Sequence, residues 1–133
     1  MNPQYPAVAE RAAYRCEYCH APEIVFNFPF EVEHVLPQAH GGSDDLDNLA
    51  LACRACNLFK SDFETGQDDE SQSAVPLFHP RRDVWEHNFR VEAESAVLVG
   101  LTPAGRASVA RLQMNRPQQL NARRRWILFG LFP

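Results

Sequence analysis

No window of the 133-residue chain approaches the roughly 20 consecutive apolar residues that a membrane-spanning helix requires, which excludes such a helix. No basic N-terminal stretch leads into an apolar run either, so the expected location is the cytoplasm. Glycine is sparse, at 6 residues, and there is no internal repeat or low-complexity tract, which excludes fibrous and repeat architectures. Cysteine is limited to four residues, in two pairs, and a compartment that keeps thiols reduced favours metal binding over disulfides. Basic residues are nearly missing from the first part: residues 1–78 hold 4 Lys and Arg against 13 Asp and Glu, whereas residues 79–133 hold 9 against 4. The formal net charge of −4 therefore divides into −9 and +5, and any grip on a phosphate backbone has to come mainly from the C-terminal part.

What is present suits a folded protein. The chain is 45% hydrophobic and 23% charged, enough for one compact domain or a small module with an appendage. Ala7 to Ala13 reads as a short helix with Pro6 in its first turn. Phe26 to Leu36, rich in Phe and Val, reads as a strand ended by Pro37, and the loop Gln38 to Asp45 follows. Leu49, Leu51 and Cys53 alternate as a second strand, and Asn57 opens a helix running through Lys60 to about Glu64. Thr65 to Ala74 is polar and without periodicity, so it reads as an exposed connection. Beyond it lie Val84 to Val91, a strand over Ala96 to Leu101, and a helix capped by Thr102 with Pro103 at its first position. About Gln118 to Phe132 forms an amphipathic basic helix.

The pairs Cys16/Cys19 and Cys53/Cys56 share a two-residue spacer that lets one tight turn aim two thiolates at one ion. Four such donors close a tetrahedral shell, so the expected ion is structural Zn2+. A redox dithiol or unrelated buried thiols are the plainer alternatives, and His20 is a possible substitute ligand. The chain between the pairs carries Glu31-Val32-Glu33-His34-Val35-Leu36-Pro37, then Gly41-Gly42, then Asp47-Asn48-Leu49, with Asn57 directly after Cys56.

On these residues, about Tyr14 to Asp62, the chain resembles the HNH endonuclease family, whose ββα-metal motif runs acid-His, loop, Asn, and a final Asn or His on a helix. The segment from Leu77 through Trp85 and the segment Gly100 to Arg106 also resemble the tail of many small bacterial members. The resemblance implies an α+β fold: a zinc-stapled hairpin and helix at residues 1–65, a linker at 66–75, and a small α/β basic extension at 76–133. It implies His34 as general base and Glu33 and Asn57 as ligands of a catalytic Mg2+ or Mn2+, with a 5′-phosphate product. The residue types suit that work. A histidine titrating near neutrality can take a proton from water, and a hard cation prefers carboxylate and amide oxygens. Asn48 and Asn57, nine residues apart, would lie on opposite faces of a shared helix. The strand, knuckle and helix order removes that conflict and leaves Asn48 to pin the loop and orient His34. Glu33 and His34 are neighbours on a strand, so they converge only if the strand ends or bulges there.

The substrate expected is DNA, with His40, Lys60, Arg81, Arg82, Arg123 and Arg124 as phosphate contacts. Glu31 reads as a solvated or hairpin residue, and Trp85, Phe89 and Trp126 as core. A protein partner or homodimer is compatible with so small a nuclease. The rival expectation is a non-catalytic zinc module that binds nucleic acid or protein.

Overall fold

A computed structural model describes residues 1–133, a mixed α+β chain of three two-stranded antiparallel sheets and five α-helices. The first helix, α1 (Tyr5–Arg11), buries Val8 and Ala9 and delivers the chain to the first knuckle. The strands β1 (Glu31–His34) and β2 (Leu49–Ala52) pair with Glu31 opposite Ala52, Glu33 opposite Ala50, and His34 opposite Leu49. Directly opposed residues share a face, so Glu31 and Glu33 stand over two alanines, which leave space for carboxylates. The strand expected over 26–36 is thus shortened to four residues. A 3-10 turn at Glu23–Val25 and Pro29, which has no amide to donate, precede it.

The helix α2 (Arg54–Lys60) begins three residues before the expected Asn57, because the Cys53 sulfur caps it by accepting from the Cys56 amide. It stops at Lys60, where Ser61 turns to a positive φ of 50°. The connection expected over Thr65 to Ala74 is instead a paired hairpin, β3 (Thr65–Asp68) and β4 (Ser73–Pro76), with Gly66 and Asp68 buried. Its inward positions are a glycine and an aspartate, so apolar alternation gives no sign of it. What holds it is remote in sequence: Asp68 receives the Arg106 guanidinium through Nε at 2.8 Å and Nη2 at 3.2 Å.

The rest of the chain comprises α3 (Trp85–Asn88), β5 (Phe89–Val91), β6 (Leu98–Gly100), α4 (Pro103–Arg111) and α5 (Pro117–Leu128). Thr102 caps α4 by accepting from the Gly105 amide. The 76–133 segment is docked on the cysteine region. Trp85 stacks on His20 at 3.8 Å and donates to the Tyr18 carbonyl, while Arg15 donates to the Leu131 carbonyl from the other side. Trp85, Phe89 and Trp126 all pack in or against one core cluster that includes the four cysteines. No helix is long and apolar enough to cross a membrane.

Candidate metal centre and hydrolytic cleft

The four cysteine sulfurs lie within 4.8 Å of one another, and all four residues are buried. Cys19 and Cys53 Sγ are 3.7 Å apart. A tetrahedron with metal–sulfur bonds of about 2.3 Å has edges of ~3.8 Å, so the cluster has the size of a zinc shell. Within each pair the later amide points at the earlier sulfur, Cys19 N to Cys16 Sγ at 3.5 Å and Cys56 N to Cys53 Sγ at 3.4 Å. Hydrogen bonds from Cys16, Cys19 and Cys56 hold Cys53 well below the usual thiol range, while Cys19 and Cys56 are pushed well above it by sharing those bonds. His20 is not among the donors. It lies stacked on Trp85, and burial pushes its pKa down to about 4.

Between the knuckles, the loop from Leu36 to Asn48 is tied down at both ends. Asn48 Oδ1 accepts from the Leu36 amide at 2.9 Å, and its Nδ2 donates to the carbonyls of Ser43 at 2.8 Å and Leu36 at 3.1 Å. Gly42 is required there: a Cβ would stand 1.8 Å from the Leu36 carbonyl oxygen. Gly41, at φ 89°, makes the preceding turn. Arg11 of α1 reaches across to the Leu46 and Leu49 carbonyls.

This loop brings Asp44 to His34, with Oδ1 2.7 Å from Nε2. Gln38 Nε2 shares the same carboxylate oxygen at 3.3 Å. In the tautomer whose Nε2 donates to Asp44, Nδ1 is left as the acceptor. Asp44 is a partner of His34 that the sequence reading missed. Its only signal was position, two residues beyond the Gly-Gly turn.

Glu33 is the next residue back along β1 from His34. β1 does end at His34, the condition for the two to serve one site, and the side chains take different partners. Glu33 is 5% exposed and accepts from the Tyr18 hydroxyl at 2.7 Å, with Lys60 Nζ 2.6 Å from Oε1. That last contact is an ion pair without hydrogen-bond alignment, since Oε1 has no hydrogen-bond donor. Burial raises the Glu33 pKa, and the Lys60 charge opposes the rise. Lys60 is 2% exposed and also donates to the Val35 carbonyl at 3.0 Å. The expectation that it contacts phosphate is corrected: its ammonium is spent on Glu33 and on the end of β1.

Asn57, one turn before Lys60 on α2, donates its amide to Glu31 Oε2, and exposed Arg54 holds Glu31 Oε1 at 3.1 Å. Glu31 is a hairpin residue with 37% of its side chain exposed, and it is partnered as well. Glu31, Glu33 and Asn57 put carboxylate and amide oxygens on the α2 side of β1, a donor set that suits a hard cation.

The outer candidates separate cleanly. His40 Nδ1 pairs with Glu64 at 2.7 Å at the surface. Arg82 and Arg124 are exposed, whereas Arg81 is bound to Glu17, and burial pushes its pKa down to about 10. Arg123 is corrected as a substrate contact. It is wholly buried and binds the Ala96 carbonyl at 2.9 Å, the Met114 carbonyl at 2.8 Å and Asn115 Oδ1 at 3.2 Å. Its place on an arginine-rich helix gave no warning, because the buried stripe of α5 is itself polar, made by Gln119, Arg123 and Trp126.

Residues 16–63 match the family model described as HNH endonuclease, a span that contains both knuckles, β1, the pinned loop, β2 and α2. No curated protein and no solved structure matches the chain significantly.

Proposed function

We propose, from an HNH endonuclease domain at residues 16–63, that this chain is a metal-dependent nuclease hydrolysing phosphodiester bonds in DNA. The observation that carries the reading is the His34–Asp44 pair at 2.7 Å, at the end of a strand fixed by Asn48.

His34 Nδ1 takes the proton from a water molecule attacking phosphorus, and Asp44 stabilises the resulting imidazolium and keeps the ring oriented. Asn48 holds the loop carrying Asp44 at its distance from β1. Glu33 and Asn57, with Glu31 beside them, would hold a divalent cation such as Mg2+ or Mn2+. Such an ion, when bound, neutralises charge on the phosphoryl oxygens. The four cysteines would hold a structural Zn2+. Exposed Arg54, Arg82 and Arg124 supply positive charge for the backbone of the nucleic acid.

One observation favours a second reading. Glu33 is already neutralised by Lys60 in the interior, as it would be in a zinc module that binds nucleic acid or protein without cutting it. Incubation of zinc-loaded protein with supercoiled plasmid and Mg2+ or Mn2+ separates the two. Nicking that disappears in His34→Ala supports the nuclease; binding with no nicking at any metal supports the module. A parallel digest of RNA decides the substrate.

A further inference from the structure

Between α2 and α5 runs a groove of about 380 Å3 that the cleavage chemistry does not use. Its walls are aromatic and aliphatic. Phe26 and Trp126 stand with ring centroids 6.3 Å apart at 53°, and Leu58 lines the groove with 59% of its surface exposed. The rim is cationic, formed by Arg54 and by Arg116, whose guanidinium lies 5.1 Å over the Phe59 ring. Gln118 adds an exposed amide, and no carboxylate lines the groove, although acids outnumber bases in the chain as a whole. Aromatic walls, guanidinium planes and amides without acids are the chemistry that stacks a nucleobase and tolerates the phosphate attached to it. The groove also adjoins the cleft directly: Arg54 on its rim holds Glu31, which holds Asn57.

We propose that this groove receives an unpaired nucleobase of the nucleic acid whose backbone lies at His34, so that the protein prefers single-stranded or locally opened substrate. This rests on the nucleic-acid reading above. An oligonucleotide carrying 2-aminopurine, its fully paired duplex and a copy with an abasic site, each bound to the full zinc-loaded chain in the His34→Ala background, test it.

Binding of the single strand should quench the 2-aminopurine. The abasic copy and the fully paired duplex should each bind about tenfold more weakly, the loss of one stacked base. Leu58→Asp, at an exposed position outside the cleft, should remove the quench and the preference at unchanged zinc content and circular dichroism. Equal affinity for the intact and abasic strands, or no response to Leu58→Asp, overturns the proposal while leaving the nuclease in place. A wild-type dimer in sedimentation that Leu58→Asp converts to monomer also overturns it, since a second copy would then cover the groove. Failure of the wild type to bind or nick any nucleic acid overturns the nuclease reading and the groove together.

Discussion

At the scale of single residues, the cleft depends on how two acids at β1 are used. Glu33 and Lys60 form a buried ion pair, and removing one partner of such a pair costs about 3–5 kcal/mol because the other charge stays in the interior. Lys60→Met should therefore destabilise the zinc-loaded protein by about that amount in urea unfolding, and Glu33→Gln with Lys60→Met should lose markedly less than the two single changes summed. In the proposed reaction Asp44 acts through His34, so Asp44→Asn should lower the nicking rate less than His34→Ala does. A general base contributes roughly 10²–10⁴ in rate, and His34→Ala should lose at least the lower figure. The clustering of the four cysteines and the pinning of the loop by Asn48 were legible in the sequence, because each sits at a fixed distance from a turn-forming or metal-binding neighbour. Asp44 was not, because a loop acid among several looks the same until the loop folds. Arg123 was misread because three consecutive arginines look solvated, and only the packing of α5 shows that one of them supplies donors to buried carbonyls.

At the scale of elements, local signals served where the residues carry their own instructions and failed where the partner is remote. The Thr102 cap and Pro103 start define α4 from within four residues, and the expected helix is there. The β3–β4 hairpin depends on Asp68 meeting Arg106 across 38 residues, and its own residues read as a linker. That pair holds the Asp68 carboxyl well below the usual range. Its contribution is thus complete above the ordinary carboxylate pKa of ~3.9 and declines as pH falls below it. The unfolding temperature should drop between about pH 4 and pH 2 in the wild type, and Asp68→Asn, less stable at neutral pH, should show a shallower drop.

For the molecule as a whole, the four-cysteine cluster organises both the cleft and the C-terminal segment. Gln119 of α5 reaches Cys19 Sγ at 3.5 Å, Trp85 stacks beside the first knuckle, and α2 is capped by Cys53. Stripping the metal should therefore unfold the chain rather than merely inactivate it, since binding energy of ~10–16 kcal/mol for a structural zinc is folding energy. Tryptophan fluorescence and circular dichroism, followed during titration with a strong chelator, should fall together, and zinc should restore both. The fold class follows from the two knuckles and the span between them. The docking of residues 76–133 does not, because its contacts are made by single side chains with no periodic signature.

The central claim is that His34 takes a proton from the attacking water. Single-turnover cleavage of a fluorescent DNA by zinc-loaded protein, with Mg2+ in excess, tests it most directly. The wild type should cleave, and His34→Ala should be slower by at least about 100-fold at equal zinc content and equal DNA binding. Cleavage by His34→Ala at the wild-type rate, or none by either protein under conditions where both bind DNA, would contradict it.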